Sequence, residues 1–169
     1  MARRFRGEHS QKIDAKGRLS IPSNFRREIE LSDPDWVEGI PASLVIVYGN
    51  DRRKFLECYT MEAIDEVDQA IQRMPRGSDA RRAMEDFIYA KSETVQVDGG
   101  GRMVLPKKMR DKIGLSADDV VCYKAAGDTF QIWKESTYEA ENAAGLDRAY
   151  DGLPDGTDPL ILLDQFRQG

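Results

Sequence analysis

Histidine occurs once and cysteine twice in these 169 residues, and that scarcity removes whole classes of chemistry. Cys58 and Cys122 each lie in an apolar, strand-like run, outside any CxxC or Cys/His spacing. Two reduced, buried thiols are therefore expected, not a disulfide or a metal site. His9 has no cysteine or acidic partner at ligand spacing and reads as a strand histidine packed near a turn. No Ser/His/Asp, Cys/His, paired-carboxylate or phosphate-cradling pattern stands in a supporting context, so neither an enzyme, a cofactor nor a small-molecule substrate is expected. The glycine run Gly99 to Gly101 leads into a strand, which makes it a turn and not a nucleotide loop. Long apolar runs are missing too, and no membrane partner is expected. The basic opening, Met1 to Arg6, meets Gly7, Glu8 and His9 with no apolar core behind it, unlike a secretory signal, so the cytoplasm is the expected location.

Basic charge is also short overall: the net charge is −5 and the pI about 5.0. Its distribution carries more information than its sum. Residues 1–28 hold eight basic side chains against three acidic ones, whereas residues 135–169 hold two against eight. Because exposed charges are screened over about 8 to 10 Å at physiological salt, an acidic tail can hide a basic binding face from the pI. With 40% hydrophobic and 33% charged residues the chain reads as globular, long enough for one core or two small units that share one.

What is present in abundance is the chain itself, twice. Laid over one another at an offset of 84, DAKGRLSIPSNFRREIEL (from Asp14) and DGGGRMVLPKKMRDKIGL (from Asp98) are identical at seven of eighteen positions. These are Asp14/Asp98, Gly17/Gly101, Arg18/Arg102, Pro22/Pro106, Arg26/Arg110, Ile29/Ile113 and Leu31/Leu115. Repeats of this kind are the first organisational signal to seek. In each copy a period-two stretch (Gln11, Ile13; Val95, Val97) reads as a strand. AKG or GGG then supplies a tight turn, as in a hairpin, with residues tolerant of positive φ. A second strand follows (Leu19, Ile21; Met103, Leu105), then a proline suited to a helix's first turn. The helix buries Phe25 and Ile29, or Met109 and Ile113, on one face, and Gly114 is a C-terminal stop. Further strands at Leu44 to Tyr48, Phe55 to Tyr59, Val120 to Tyr123 and Thr129 to Trp133 complete the copies, the first copy carrying ten extra residues around Asp33 to Pro41.

Between the copies, Thr60 reads as an N-cap and Met61, Ile64, Val67 and Ile71 as a helical stripe. Pro75-Arg76-Gly77 breaks it. A second helix, capped by Ser78 or Asp79, is expected to bury Ala83, Met84, Phe87 and Ile88 and to pack on the first as a hairpin. After Ala140 the composition becomes rich in Gly, Asp and Ala, with one apolar patch at Leu160 to Leu163, which reads as a mobile acidic tail able to dock a short helix. The expected organisation is α+β: repeat one over residues 8–60, linker helices over 61–90, repeat two over 91–138 and the tail over 139–169.

The turns DAKGRLSIP and DGGGRMVLP resemble the tandem DxxxR signature of the MraZ family, within the SpoVT/AbrB-like DNA-binding superfamily, and FRGEHSQKIDAKGRLSIP resembles that family's N-terminus. The resemblance runs from about Phe5 to Tyr138. It implies tandem SpoVT/AbrB-like repeats forming a pseudo-symmetric, β-rich module. It also implies a DNA-binding transcriptional regulator, usually a repressor of the division and cell-wall gene cluster and of its own promoter. Such regulators act without a cofactor, as ring-shaped homo-oligomers on direct repeats in double-stranded DNA. A nucleoid-associated protein is the matching expectation for location.

The family's contact residue maps onto Arg18, with Asp14 at the matching acidic position and Arg102 and Asp98 as second-copy equivalents. Arginine suits such a turn because its planar fork reaches guanine O6 and N7 together in the major groove. Arg18 is accordingly expected at a base edge, and Lys16, Lys12, Arg6, Arg4 and Arg3 at phosphates. Asp14 would orient Arg18 or cap the turn. The residues alone equally allow Asp14 and Arg18 to form a salt bridge that merely fixes the turn. Arg102, flanked by glycines where copy one has Lys16, is expected to matter less to DNA, the second copy mainly completing the fold. Arg26 and Arg27 read as a solvated helix face. A non-DNA oligomeric scaffold and an AbrB-like antitoxin are the competing functions, the duplication speaking against the latter.

Overall fold

The computed structural model describes residues 4–167 and bears out the duplicated α+β organisation. Two compact units are present, Met1–Glu135 and Ser136–Gly169. In the first, copy one supplies β1 (Glu8–Lys12), β2 (Arg18–Ser20), α1 (Ser23–Leu31), β3 (Ala42–Val47) and β4 (Leu56–Thr60). Next come α2 (Met61–Gln72) and α3 (Asp79–Met84), the latter running into a π-helical turn at Glu85–Ala90. Copy two repeats the pattern as β5 (Ser92–Val97), β6 (Arg102–Val104), α4 (Lys107–Lys112), β7 (Val120–Ala125) and β8 (Thr129–Lys134).

The strands do not pair as the turns alone led one to expect. β1 and β2, joined by the Asp14 turn, form no ladder with each other. β1 instead pairs with β7, while β5 pairs with β3, so each copy's first strand lies along the other copy's third. β2 pairs with β6, and β4 with β8. The result is an antiparallel six-stranded sheet in the order β1-β7-β8-β4-β3-β5, with a separate two-stranded ribbon, β2-β6. Read from either end, the order is the same with the copies exchanged. Periodicity reports which face of a strand is apolar and says nothing about its neighbour; that is why a hairpin was the natural expectation and interlacing was not visible.

The core follows from the alternation. One face of the sheet carries Leu44, Ile46, Leu56, Cys58, Val95, Val97, Val121, Tyr123, Phe130 and Ile132 into a single apolar cluster. Phe25 and Ile29 from α1, Met109 from α4, and Leu19 and Met103 from the ribbon close it. Phe25 is its aromatic hub, its ring centroid 5.1 Å from Phe5, 5.0 Å from Phe130 and 5.2 Å from His9. The Tyr123 hydroxyl donates to the Ser20 carbonyl at 2.9 Å and ties the ribbon to the sheet beneath it. Cys58 and Cys122 are both buried and in no disulfide, and desolvation pushes the Cys58 thiol up.

On the opposite face, Val45 and Val47 pack with Ile64 and Ile71 of α2 and with Ile88. Thr60 Oγ1 accepts from the Ala63 amide at 3.0 Å and caps α2, and Ser78 Oγ caps α3. Here the stripe expected for the second helix is corrected: Ile88 and, in part, Phe87 face inward, but Ala83 and Met84 are exposed. The wider π-helical turn from Glu85 accommodates an extra residue, so positions before it and after it no longer share one α-helical face. Arg81 is buried instead, donating to the Met74 carbonyl at 2.8 Å and so satisfying an orphan group past the end of α2. In the second unit, α5 (Glu135–Tyr150) is followed by a 3-10 helix over Pro159–Phe166, whose Asp158 cap accepts from the Leu160 amide.

Because every strand of copy two has a partner in copy one or in a hairpin that leans on it, neither half holds a complete sheet. Separately produced chains 1–90 and 91–169 are expected to lack folded monomeric structure by circular dichroism and light scattering, and to gain sheet on mixing. A stable folded monomer from either half would contradict the interlaced pairing.

Candidate nucleic-acid interface

Each DxxxR turn is built by one carboxylate. Asp14 Oδ1 accepts from the Lys16 and Arg18 amides, both at 2.9 Å, while the Gly17 amide donates to the Asp14 carbonyl at 3.0 Å. Asp98 repeats this, Oδ1 accepting from the Gly100 amide at 2.8 Å and the Arg102 amide at 3.0 Å. Gly17 and Gly101 close the turns at φ +82° and +78°, the left-handed region that a side chain at Cβ resists. The amide bonds explain why both aspartates stand below the ordinary carboxylate range. For Asp14 the Arg18 amide contributes most, then the Arg18 side chain; for Asp98 the Arg102 amide leads.

The register of the ribbon decides what the turns present. Leu19 faces Met103, both completely buried, while Arg18 lies opposite Val104 and Ser20 opposite Arg102. Successive side chains alternate faces, so Arg18, Ser20, Arg102 and Val104 all occupy the solvent side. On such a ladder diagonal neighbours stand about 7–8 Å apart, which sets the two arginines next to each other on one exposed face. Val104 is 55% exposed in its centre.

The two arginines differ in what holds them. Arg18 Nε pairs with Asp14 Oδ2 at 2.5 Å, with both side chains well exposed. The salt-bridge alternative raised by the spacing is therefore present in copy one. The Arg102 side chain forms no hydrogen bond or salt bridge among the described residues, its amide alone bonding the Asp98 carboxylate. Both arginines are exposed on the same face, and of the two Arg18 is the one paired with its turn's aspartate.

Of the other candidates, Lys16 is exposed at the tip of its turn and Lys12 is exposed at the end of β1 nearest it. Arg4 and Arg6 are exposed but lie at the opposite end of that strand. Phe5 bridges Gly127 beyond β7, whereas Lys12 faces Val120, a separation of roughly 20 Å of extended chain. Arg4 lines a crevice with Glu28, Glu62, Glu66 and Asp128, an acidic setting and not a continuation of the basic ribbon face. Arg3 lies outside the described residues. Arg26, read from the sequence as part of a solvated helix face, is instead half-buried and bonded to the turn of copy two, and Arg110 stands likewise against the turn of copy one; their identity across the repeat was the available signal.

A single chain that interlaces two copies of one strand-turn-strand-helix unit, and joins them through an arginine-bearing ribbon, is a tandem α+β module of duplicated design. The family model described as "MraZ protein, putative antitoxin-like" matches residues 4–87 and 88–145, one match per copy, and the chain belongs to the MraZ family. The protein named "Transcriptional regulator MraZ" from Ruegeria pomeroyi is 53% identical over 164 residues, covering 97% of each chain. Its namesake from Cereibacter sphaeroides is 42% identical over 170 residues, covering 98% of each. That from Leuconostoc citreum is 28% identical over 156 residues, 89% of this chain and 97% of the relative.

A depressed folded-state value means that each aspartate stabilises the turn above the free-peptide range, about 3.9, and that this contribution is lost as pH falls through the lower folded value. Carboxyl-carbon NMR titration is expected to give midpoints below the peptide value for both Asp14 and Asp98. A peptide-like midpoint at either would show that its turn amides do not hold the carboxylate.

Proposed function

We propose that this chain is a sequence-specific, DNA-binding transcriptional regulator that reads double-stranded DNA with the exposed face of the β2-β6 ribbon. The observation that carries this reading is the register that sets Arg18 and Arg102 side by side on the solvent face. A two-stranded ribbon fits the major groove, where an arginine fork on guanine is worth about 1 to 3 kcal/mol of discrimination. Ser20 and Val104, on the same face, add a hydroxyl for a base edge and an apolar surface for a thymine methyl. Lys16 and Lys12 flank the ribbon as phosphate contacts that position without specifying. Asp14 acts on DNA only indirectly, by fixing the turn and holding Arg18. An exposed, screened pair such as Asp14–Arg18 is readily exchanged for a stronger partner, so the salt bridge is compatible with Arg18 turning to a base. Arg4 and Arg6, some distance along β1, would meet DNA only outside the ribbon's own footprint.

In its finer form the reading makes the protein a repressor of the division and cell-wall gene cluster and of its own promoter, working in the cytoplasm at the nucleoid. One ribbon with two arginines offers few contacts. A ring-shaped homo-oligomer engaging direct repeats would make several such contacts simultaneous and raise the effective concentration of each. The regulator name carried by the relatives from Ruegeria and Cereibacter supports the coarser part of this reading.

The test is titration of a duplex from upstream of the chain's own gene, at two salt concentrations. Arg18→Ala and Arg102→Ala are each expected to lose specific affinity by roughly ten-fold or more with the oligomer intact. Lys16→Ala is expected to weaken all sequences alike and to lower the salt slope by about one. Wild-type affinity in both arginine variants would sink the proposal.

A further inference from the structure

The identities Gly17/Gly101 and Arg26/Arg110 meet in space, but crosswise. Arg26 Nη2, from α1 of copy one, donates to the Gly99 carbonyl of copy two's turn at 3.1 Å. Its Nη1 lies 3.1 Å from where a side chain on Gly101 would begin. Arg110, from α4 of copy two, sits against copy one's turn: its Nε is 2.9 Å from the position a Gly17 Cβ would take, and it donates to the Leu105 carbonyl at 3.1 Å. The backbone crosses in the same sense, since the Leu105 amide donates to the Gly17 carbonyl at 2.7 Å and the Ile21 amide to the Gly101 carbonyl at 2.9 Å. Both glycines are thus required twice, for their positive φ and for the guanidinium beneath them.

We propose that Arg26 and Arg110 are positioning residues for the DNA-facing turns, each helix arginine setting the turn of the opposite copy. Both are half-buried against the turn glycines, where they position the turns instead of supplying DNA contacts of their own. The two braces are unequal. Arg110 bonds the Leu105 carbonyl beside copy one's turn, while Arg26 bonds copy two's turn directly and is itself steadied by Glu30, 3.5 Å away. Arg26 also adds positive charge near Asp98, lowering its carboxyl further. Asp98 is held by its turn amides, with the Arg102 and Arg26 charges adding to them, and makes no direct ion pair with Arg102, whereas Asp14 pairs directly with Arg18. The inference rests on the DNA reading above and specifies how that face is held.

Arg26→Met, Arg26→Lys and Arg110→Met in the full chain test it, after light scattering and melting have confirmed folded oligomers. Amide hydrogen exchange is read at residues 14–18 and 98–102, and binding is read on the upstream duplex and on a scrambled duplex of equal length. Arg26→Met is expected to speed exchange at 98–102 several-fold and leave 14–18 unchanged; Arg110→Met should do the converse. Specific affinity should fall by roughly ten-fold, the cost of one charge-assisted hydrogen bond, with the salt slope unchanged. Arg26→Lys should recover part of both effects. Loosening of a variant's own-copy turn, or no crossed pattern, overturns the proposal. So does a salt slope lowered by about one, which would make Arg26 a phosphate contact. Unchanged DNA affinity in Arg26→Met alongside lost affinity in Arg102→Ala also overturns it. Should Arg18→Ala and Arg102→Ala both bind as wild type, it is the DNA reading that fails, and the crossed exchange pattern still reports on the brace.

Discussion

The three-residue ladder between β2 and β6 is the constraint on which the rest of this molecule depends. Its inward residues, Leu19 and Met103, are fully buried over the sheet, and its outward residues are therefore committed to solvent. One apolar pair fixes the ribbon's register, and the register alone aligns two arginines that lie 84 positions apart in the chain. A slip of one residue would turn every side chain over, drawing the arginines inward and expelling Leu19 and Met103. Burying a guanidinium without a partner is costly enough that the apolar face and the charged face enforce the same alignment from opposite sides.

Local structure was legible because local signals produce it. Thr60 and Ser78 cap their helices as short hydroxyl residues ahead of an apolar stripe do, and Gly114 follows α4 at φ +73°. Phe25, Ile29 and Met109 lie where helical spacing puts them. What could not be read was the identity of partners across space. The turns at Asp14 and Asp98 carry the residues of a hairpin, yet their strands diverge into separate sheets, because pairing is chosen by long-range packing. The π-helical turn at Glu85 and the burial of Arg81 escaped for a similar reason: no residue type encodes a shift in helical register.

The candidate site was half legible. Arg18, Lys16 and Asp14 were marked by the repeat and by their basic surroundings, and the structure keeps them together. Linear charge misled at the N-terminus, where Arg4 and Arg6 are close to Lys12 in sequence but stand at the far end of an extended strand. Linear charge also set Arg102 below Arg18 on the strength of its glycine neighbours, and said nothing of the register that places both on one exposed face. Apart from glycines at positions 99 and 100, the Asp98 turn is the image of its counterpart.

Placing both copies in one chain has a physical consequence that an association of two identical subunits would not have. Covalent linkage supplies the second half at high effective concentration, so interlaced strands, which cannot form until both copies are present, need no separate encounter. It also frees the copies to diverge. A symmetric pair would carry the same cation at both turn tips and the same ion pair in both turns. Here one tip bears Lys16 and the other Gly100, one arginine is latched to its aspartate and the other is open, and one brace reaches the turn itself while the other bonds beside it. The covalent order of the copies thus gives the ribbon two unlike ends, and with them a direction that an exactly symmetric pair would lack.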